Sequence, residues 1–346
     1  MIKAEKTSGK KRILVPGGTG AMGVYLVPEL VRLGYAVDVV SLDDIRSDNP
    51  DVRYFKADFK DDATVEEFLK NNYDCIADFM IYNGPEFRQK YRRLLENCGH
   101  YIYLSSYRVY ADLEHPITEN SPRLLDVSQD SEYLAAQDYE YSLYKALGED
   151  VLKASGLTNW TAVRPAITFS KRRFQLVILE ADTIVYRARA GKTVILPEQA
   201  MNVQATMSWA GDVAKMISRL ILNKEAFGEI YTVATAEHHP WKEIADYYAR
   251  LIGLKYAVVD KEDFLSCLSS NNSKSVRWQL EYDRLFERVI DNSKILNATG
   301  MKQSELTTVY DGLKRELGAL HRDAFADCGN TERNRLMDAF VAARGL

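Results

Sequence analysis

Over its first 160 or so residues the chain alternates between two apolar patterns. Short solid apolar runs at residues 12–15, 36–42, 52–55, 75–81, 101–104 and 160–163 read as strands buried on both faces. Between them, Val24, Leu26, Val27, Leu30, Val31 and Leu33 recur at helical spacing and stop at Gly34, and residues 63–71, 86–98 and 139–154 carry the same period. Strand, helix, strand in strict succession means crossover connections and a parallel sheet. The fold class expected is α/β, a doubly wound parallel sheet. After Phe169 the rhythm changes: residues 176–190 read as helix, 193–196 as strand, 210–222 as helix, 229–234 as strand and 241–253 as helix. From there to about Leu320 the pattern is mostly helical, with Asp291, Asn292 and Ser293 as an N-cap ahead of Ile295 and Leu296.

This organisation predicts a parallel-sheet domain over residues 11–175, rejoined by about 208–236, and a smaller mixed, mostly helical lobe from 176–207 and 237–326. Residues 1–10 and 327–346 are expected to be flexible or peripheral. A length of 346 residues suits one large α/β unit with such a lobe. With 45 Lys+Arg against 49 Asp+Glu, the net charge of −4 presents no single-sign field, which weighs against nucleic acid or an anionic membrane as partner. No apolar run approaches the roughly 18 residues of a membrane helix, and no apolar stretch follows the Lys-rich start, so a cytoplasmic location is expected. Cys75, Cys98, Cys267 and Cys328 lie too far apart for a zinc site or a disulfide framework, and His238–His239 before Pro240 reads as a loop.

The first strand runs directly into Gly17-Gly18-Thr19-Gly20-Ala21-Met22-Gly23, and the first helix follows. A glycine at each third position there allows a tight turn, close approach of backbone to a pyrophosphate, and close packing of helix on strand, with the helix N-terminus facing the anion. Gly17, Gly20, Ala21, Met22 and Gly23 are therefore assigned to a dinucleotide in a Rossmann-type fold. The acid that should meet the adenosine ribose falls near Ser41 and Asp43, where two carboxylates, Asp43 and Asp44, would repel a 2′-phosphate. NAD is expected, with NADP left open by Ser41 and Arg46. Asp58, after the third strand, is placed to accept from the adenine amino group.

Tyr141 and Lys145 stand four residues apart on one helical face. A phenol serves as acid/base near neutrality only if its pKa falls from about 10, and an adjacent ammonium favours the phenolate. Upstream, Ser105-Ser106 follows an apolar strand, at the carboxyl end where open α/β sheets bind ligands.

Together these residues resemble the extended short-chain dehydrogenase/reductases, the NAD-dependent epimerase/dehydratase family of nucleotide-sugar enzymes, over roughly residues 11–320. Arg164-Pro165, Trp209 to Ala214, Gly228 to Val233 and Asp291 to Lys294 are similar to further landmarks of that family, in order. The resemblance implies Tyr141 as acid/base, Lys145 and Ser106 as its catalytic partners, and Phe79, Met80, Lys145 and Pro165 beside the cofactor. It also implies Asn83, Thr168, Ser106 and Arg284 at the substrate, with Arg284 on a diphosphate, and a homodimer through the helix of Tyr141. The expected activity is 4-epimerisation of a nucleotide sugar through a transient 4-keto intermediate. The alternatives are an NAD(P)H-dependent ketoreductase and, from another class, a non-catalytic RNA-binding or regulatory protein of the same fold, similar to the chloroplast stem-loop RNA-binding branch. Dehydration is the least expected chemistry, because Tyr107 and Arg108 stand where the dehydratases carry an Asp-Glu pair. The ends of the fourth strand (Asp78 to Asn83) and of the loop after Thr168 also depart from the family pattern.

Overall fold

The structure is a computed structural model that describes residues 9–269 and 273–346. Most of the expected flexible start, residues 1–8, lies outside the described residues. Seven strands, β1 (Arg12–Pro16), β2 (Ala36–Ser41), β3 (Val52–Lys56), β4 (Tyr73–Asp78), β5 (Cys98–Leu104), β6 (Trp160–Pro165) and β7 (Glu229–Val233), form one sheet in the order β7-β6-β5-β4-β1-β2-β3. Every neighbouring pair is parallel. Successive side chains of a strand alternate between faces, so Ile13 and Val15 enter one core and Leu14 the other. On the first face lie α1 (Gly23–Arg32) and, from later in the chain, Ala210–Leu220; on the second lie α2 (Asp62–Leu69), α3 (Gly84–Glu96) and α4 (Tyr141–Ala154). The chain leaves β1 for β2 on one side and returns to β4 on the other. That reversal opens a crevice at the strands' carboxyl ends, where such sheets hold ligands.

The remaining elements build a lobe around a separate apolar core that includes Phe174, Leu176, Ile195, Trp241, Tyr248 and Leu313. Four longer helices frame it: α5 (Ala181–Arg189), α6 (Trp241–Ile252), α7 (Val309–Gly318) and α8 (Glu332–Arg344). A parallel strand pair, Thr193–Pro197 with Lys255–Val259, joins them.

Several boundaries differ from expectation, each for a local reason. β4 stops at Asp78, not at residue 81, because the Asp78 carboxylate accepts from the Met80 N–H and turns the chain. Cys98 opens β5 instead of closing a helix. Where helix was expected from residue 176, Gln175–Leu176 and Leu179–Glu180 form an antiparallel hairpin whose turn residue, Val177, has φ +54°. Lys255–Val259, expected within helix, is a strand because it has Thr193–Pro197 to pair with, a tertiary partner that periodicity does not reveal. Residues 327–346, expected to be flexible or peripheral, carry α8, which docks on α5: buried Asn334 accepts from Arg187 and donates to the Asp182 carbonyl. No described helix is long and apolar enough to cross a membrane.

Glu316 on α7 ties the lobe to the sheet domain. Its buried carboxylate accepts from the Tyr25 hydroxyl of α1 (2.5 Å), the Trp209 indole (2.6 Å) and the Lys171 N–H (2.6 Å). Glu316→Ala leaves three donors unsatisfied, so urea unfolding should show a loss of about 3 kcal/mol. A loss below about 1 kcal/mol would mean that the tie carries little.

Candidate active site

The glycine turn is built by backbone constraints. Gly17 adopts φ +71° while its N–H reaches the Val40 carbonyl of β2 (2.8 Å), and a side chain there would press on the Phe79 carbonyl at 3.2 Å. Phe79 in turn donates its N–H to the Pro16 carbonyl (3.0 Å), which draws the end of β4 against the turn. A Cβ on Gly23 would lie 2.2 Å from the Gly18 carbonyl oxygen, so only glycine lets α1 start this close to β1. At Gly20, which is exposed, a Cβ would touch only the Gly17 carbonyl, at 3.3 Å. No side chain caps the helix at Met22, and its first turn holds no acid. The arrangement is a cradle open at Gly20, with a positive helix end that nothing in the first turn neutralises; it fits the pyrophosphate of a dinucleotide.

From Met22 the cradle continues into a cavity of about 270 Å³. Its walls bring together Ser106 and Arg108 after β5, Tyr141 at the start of α4, Pro165 at the end of β6 and Thr168 just beyond it. Lys145, one turn along α4, is fully buried; its Nζ donates to the Leu104 carbonyl (2.6 Å) and lies 5.7 Å from the centre of the Tyr141 ring. Burial pushes the Lys145 ammonium down to about 8, and the carboxylates of Asp78 and Glu149 oppose that fall. Of the two serines, Ser105 gives its hydroxyl to Glu149 (2.6 Å), which is locked in a buried pair with Arg164 (2.6 and 2.7 Å). Ser106 faces the cavity, with its Oγ accepting only a long bond from the Arg108 N–H (3.2 Å) among the described residues.

Asp78 sits at the end of β4, accepting from the Tyr101 hydroxyl (2.9 Å) and the Met80 N–H (2.9 Å). Burial pushes its carboxyl up to about 6, against the pull of these bonds and of Lys145. A carboxyl that holds its proton more tightly folded than unfolded adds stability that is full below the unfolded value of 3.8 and is lost as pH rises through about 6. Relative to Asp78→Asn, the wild type should therefore lose roughly 3 kcal/mol of unfolding free energy between about pH 4 and pH 7. Parallel pH profiles for the two proteins would contradict this.

Several other expected residues already hold contacts of their own. Asn83 caps α3: its Oδ1 accepts from the Glu86 N–H (2.9 Å) while Glu86 accepts from the Asn83 N–H, so it is a capping box and not part of the cavity wall. Arg284 does line the cavity, but it is no free diphosphate clamp. Its guanidinium is committed to the Val177 carbonyl (2.8 Å), the Tyr107 hydroxyl (2.7 Å), Gln175 (3.2 Å) and the adjacent Asp283 carboxylate. Thr168 is buried and turns its hydroxyl to the Ala166 carbonyl (3.0 Å). Ser41 ends β2, accepting from the N–H of exposed Asp43 (3.2 Å), and exposed Asp58 caps its own turn through the Lys60 N–H (2.8 Å). Met80 is half-buried just beyond Phe79.

Sequence reasoning missed Ile81, Gln175, Glu180 and Gln279 in the cavity wall. Gln175 and Glu180 arrive on the hairpin that the helical reading concealed. Arg108 carried a visible signal, as one of the two departures noted directly after Ser106.

The family model of the NAD dependent epimerase/dehydratase family matches residues 13–234. Among curated proteins, the chloroplast stem-loop binding protein of 41 kDa b from Arabidopsis thaliana is 23% identical over 263 residues, 71% of this chain and 64% of that protein's length. Among solved structures, dTDP-glucose 4,6-dehydratase from Bacillus anthracis, in complex with NAD, superposes with a TM-score of 0.65 at 16% identity, covering 89% of this chain and 96% of its own. UDP-glucose 4-epimerase from Thermotoga maritima, with UDP-glucose, gives 0.63 at 16% identity, covering 89% and 97%. At these identities the superpositions speak for the fold, and the family match speaks for descent. The chain belongs to the NAD dependent epimerase/dehydratase family.

Proposed function

We propose that this chain is an NAD-dependent enzyme that oxidises and re-reduces a carbinol of a nucleotide sugar, acting as a 4-epimerase. The observation that carries the reading is one cavity wall shared by Ser106, Tyr141 and Met22, with the Lys145 ammonium beneath the Tyr141 ring. When bound, NAD supplies a hydride acceptor at its nicotinamide. Gly17, Gly20, Ala21, Met22 and Gly23 would hold its pyrophosphate, Asp43 and Ser41 the adenosine ribose, Asp58 the adenine, and Phe79, Met80, Lys145 and Pro165 the nicotinamide half. Exposed carboxylates at the end of β2 favour NAD over NADP.

The Tyr141 oxygen takes the proton of the sugar's C4 hydroxyl as C4 is oxidised, and returns it when the ketone is reduced on its other face. Lys145 steadies the phenolate through its charge, and Ser106 donates a hydrogen bond to the reacting oxygen. Elimination of water is disfavoured in this reading, because the positions that follow Ser106 are Tyr107 and Arg108 and carry no acid. A homodimer through α4, in the cytoplasm, completes the proposal.

The test is incubation of the NAD-loaded protein with UDP-glucose and related nucleotide sugars, with no added reductant, followed by analysis of C4 stereochemistry. Epimerised product without net cofactor consumption supports the reading. Stoichiometric consumption of NADPH by a keto substrate supports the ketoreductase instead. A second reading, a regulatory RNA-binding protein of the same fold, is favoured by the stem-loop binding relative. It predicts RNA affinity that falls steeply with salt and no sugar turnover.

A further inference from the structure

Behind the cavity lies a buried cluster in which three guanidinium groups, Arg108, Arg284 and Arg288, share two carboxylates, Glu140 and Asp283. Lys145, beneath Tyr141, is answered separately by Asp78 and Glu149. The arginines are not equally engaged. Arg284 has four of its five N–H groups engaged by the partners already described. Arg288 donates to the Tyr110 and Tyr282 carbonyls (3.1 and 3.4 Å), and Arg173 sits at the rim, 4.0 Å from Glu180. Arg108 is held loosely: its Nη2 lies 3.4 Å from Glu140, and its Nε, 3.3 Å from Asp283, is buried without a hydrogen bond among the described residues. The Nε of Arg288 and the Oδ1 of Asp283 are likewise without hydrogen bonds, so the cluster is incompletely satisfied around one fully buried carboxylate. These atoms face one another within the cluster, Arg108 Nε 3.3 Å and Arg288 Nε 3.4 Å from the Asp283 carboxylate, so a ligand would meet the cavity-lining end of Arg108. Arg108 lines the cavity, and its guanidinium carbon lies 5.0 Å from the centre of the Tyr141 ring.

We propose that Arg108 determines specificity: the substrate carries a compact oxyanion, a carboxylate or a phosphate ester, beside the carbon that reacts, and Arg108 holds it. The proposal rests on the preceding functional reading in taking Tyr141 as the reacting end of the cavity. An oxyanion at hydrogen-bond distance from Arg108, about 2.8 Å, would stand next to whatever oxygen Tyr141 receives, and its charge would offset the excess of guanidinium groups. A neutral sugar leaves that excess unanswered.

Titration calorimetry of the NAD-loaded protein with glucose, and with glucuronate and glucose 6-phosphate, whose anionic groups are borne next to C4, tests this without turnover. At least one acidic sugar should bind at least about tenfold more tightly than glucose, glucuronate marking a carboxylate site and glucose 6-phosphate a phosphate site. Arg108→Gln should erase that preference while NAD affinity is kept. Because Arg108→Gln strips a cation from buried Asp283, Arg108→Lys serves if it fails to fold. The lysine variant keeps the charge but lacks the paired donors, so it should weaken the acidic sugar about tenfold and leave glucose unchanged. No acid preference in the wild type, or an undiminished one in a folded Arg108 variant, overturns the proposal. An acid preference in a protein that turns over no sugar would sink the redox reading and leave this one standing.

Discussion

Tyr141→Phe should lower turnover by about 10³-fold, within the range that a positioned acid/base contributes, while the affinity for NAD stays within about threefold of wild type. The substitution removes one oxygen from a half-buried ring whose surroundings stay in place: Arg108 over the ring at 5.0 Å, Lys145 at 5.7 Å and Tyr144 edge-on at 5.5 Å. The Tyr141 hydroxyl has no hydrogen-bond partner among the described residues, so its loss breaks no structural bond. Stability should accordingly be unchanged, and the effect should appear in kcat with KM nearly constant, as expected when an interaction made only in the transition state is removed. Turnover within about tenfold of wild type would remove Tyr141 from the mechanism.

Gly20→Val should weaken NAD binding by about 100-fold, roughly 3 kcal/mol, in a protein that still folds. The contrast with Gly23 is what makes this informative. At Gly23 a Cβ collides with the Gly18 backbone at 2.2 to 2.6 Å, and the only escape is to lift α1 off the sheet, so Gly23→Ala should cost stability directly. At Gly20 the sole contact is the Gly17 carbonyl at 3.3 Å, and the side chain projects from an exposed position into the space where the pyrophosphate would approach. Equilibrium binding measured beside urea unfolding separates the two effects. Unchanged NAD affinity in Gly20→Val would show that the cradle is structural and does not serve a dinucleotide.

The sheet was legible in the sequence because a parallel sheet covered on both faces writes solid apolar runs, and the intervening helices write a 3.6-residue period. The glycine turn and the Tyr141–Lys145 pair were legible for a related reason: each is local, set by spacing within eight residues, so one segment suffices to specify it. What escaped was set by distant partners. Lys255–Val259 becomes a strand only because Thr193–Pro197 lies alongside it. The hairpin at 175–180 puts Gln175 and Glu180 into the cavity through a turn in which Val177 takes a left-handed conformation that its sequence does not advertise. Arg284 lines the cavity, but its commitment to Asp283, Tyr107 and Val177 joins residues up to 177 positions apart, and no spacing rule reaches that far. The same non-local packing isolates Arg108 as the loosely held cation.

The most direct test of the account follows the hydrogen on the reacting carbon. UDP-glucose and UDP-glucuronic acid deuterated at C4 are incubated with the NAD-loaded protein in ordinary water, and the C4 epimer is analysed for label. Direct transfer to and from a held cofactor predicts that the deuterium is recovered at C4 of the epimer, and that Tyr141→Phe yields no epimer. Epimer that has exchanged its C4 deuterium for solvent hydrogen, or an absence of epimer from both substrates with the wild-type protein, would contradict it.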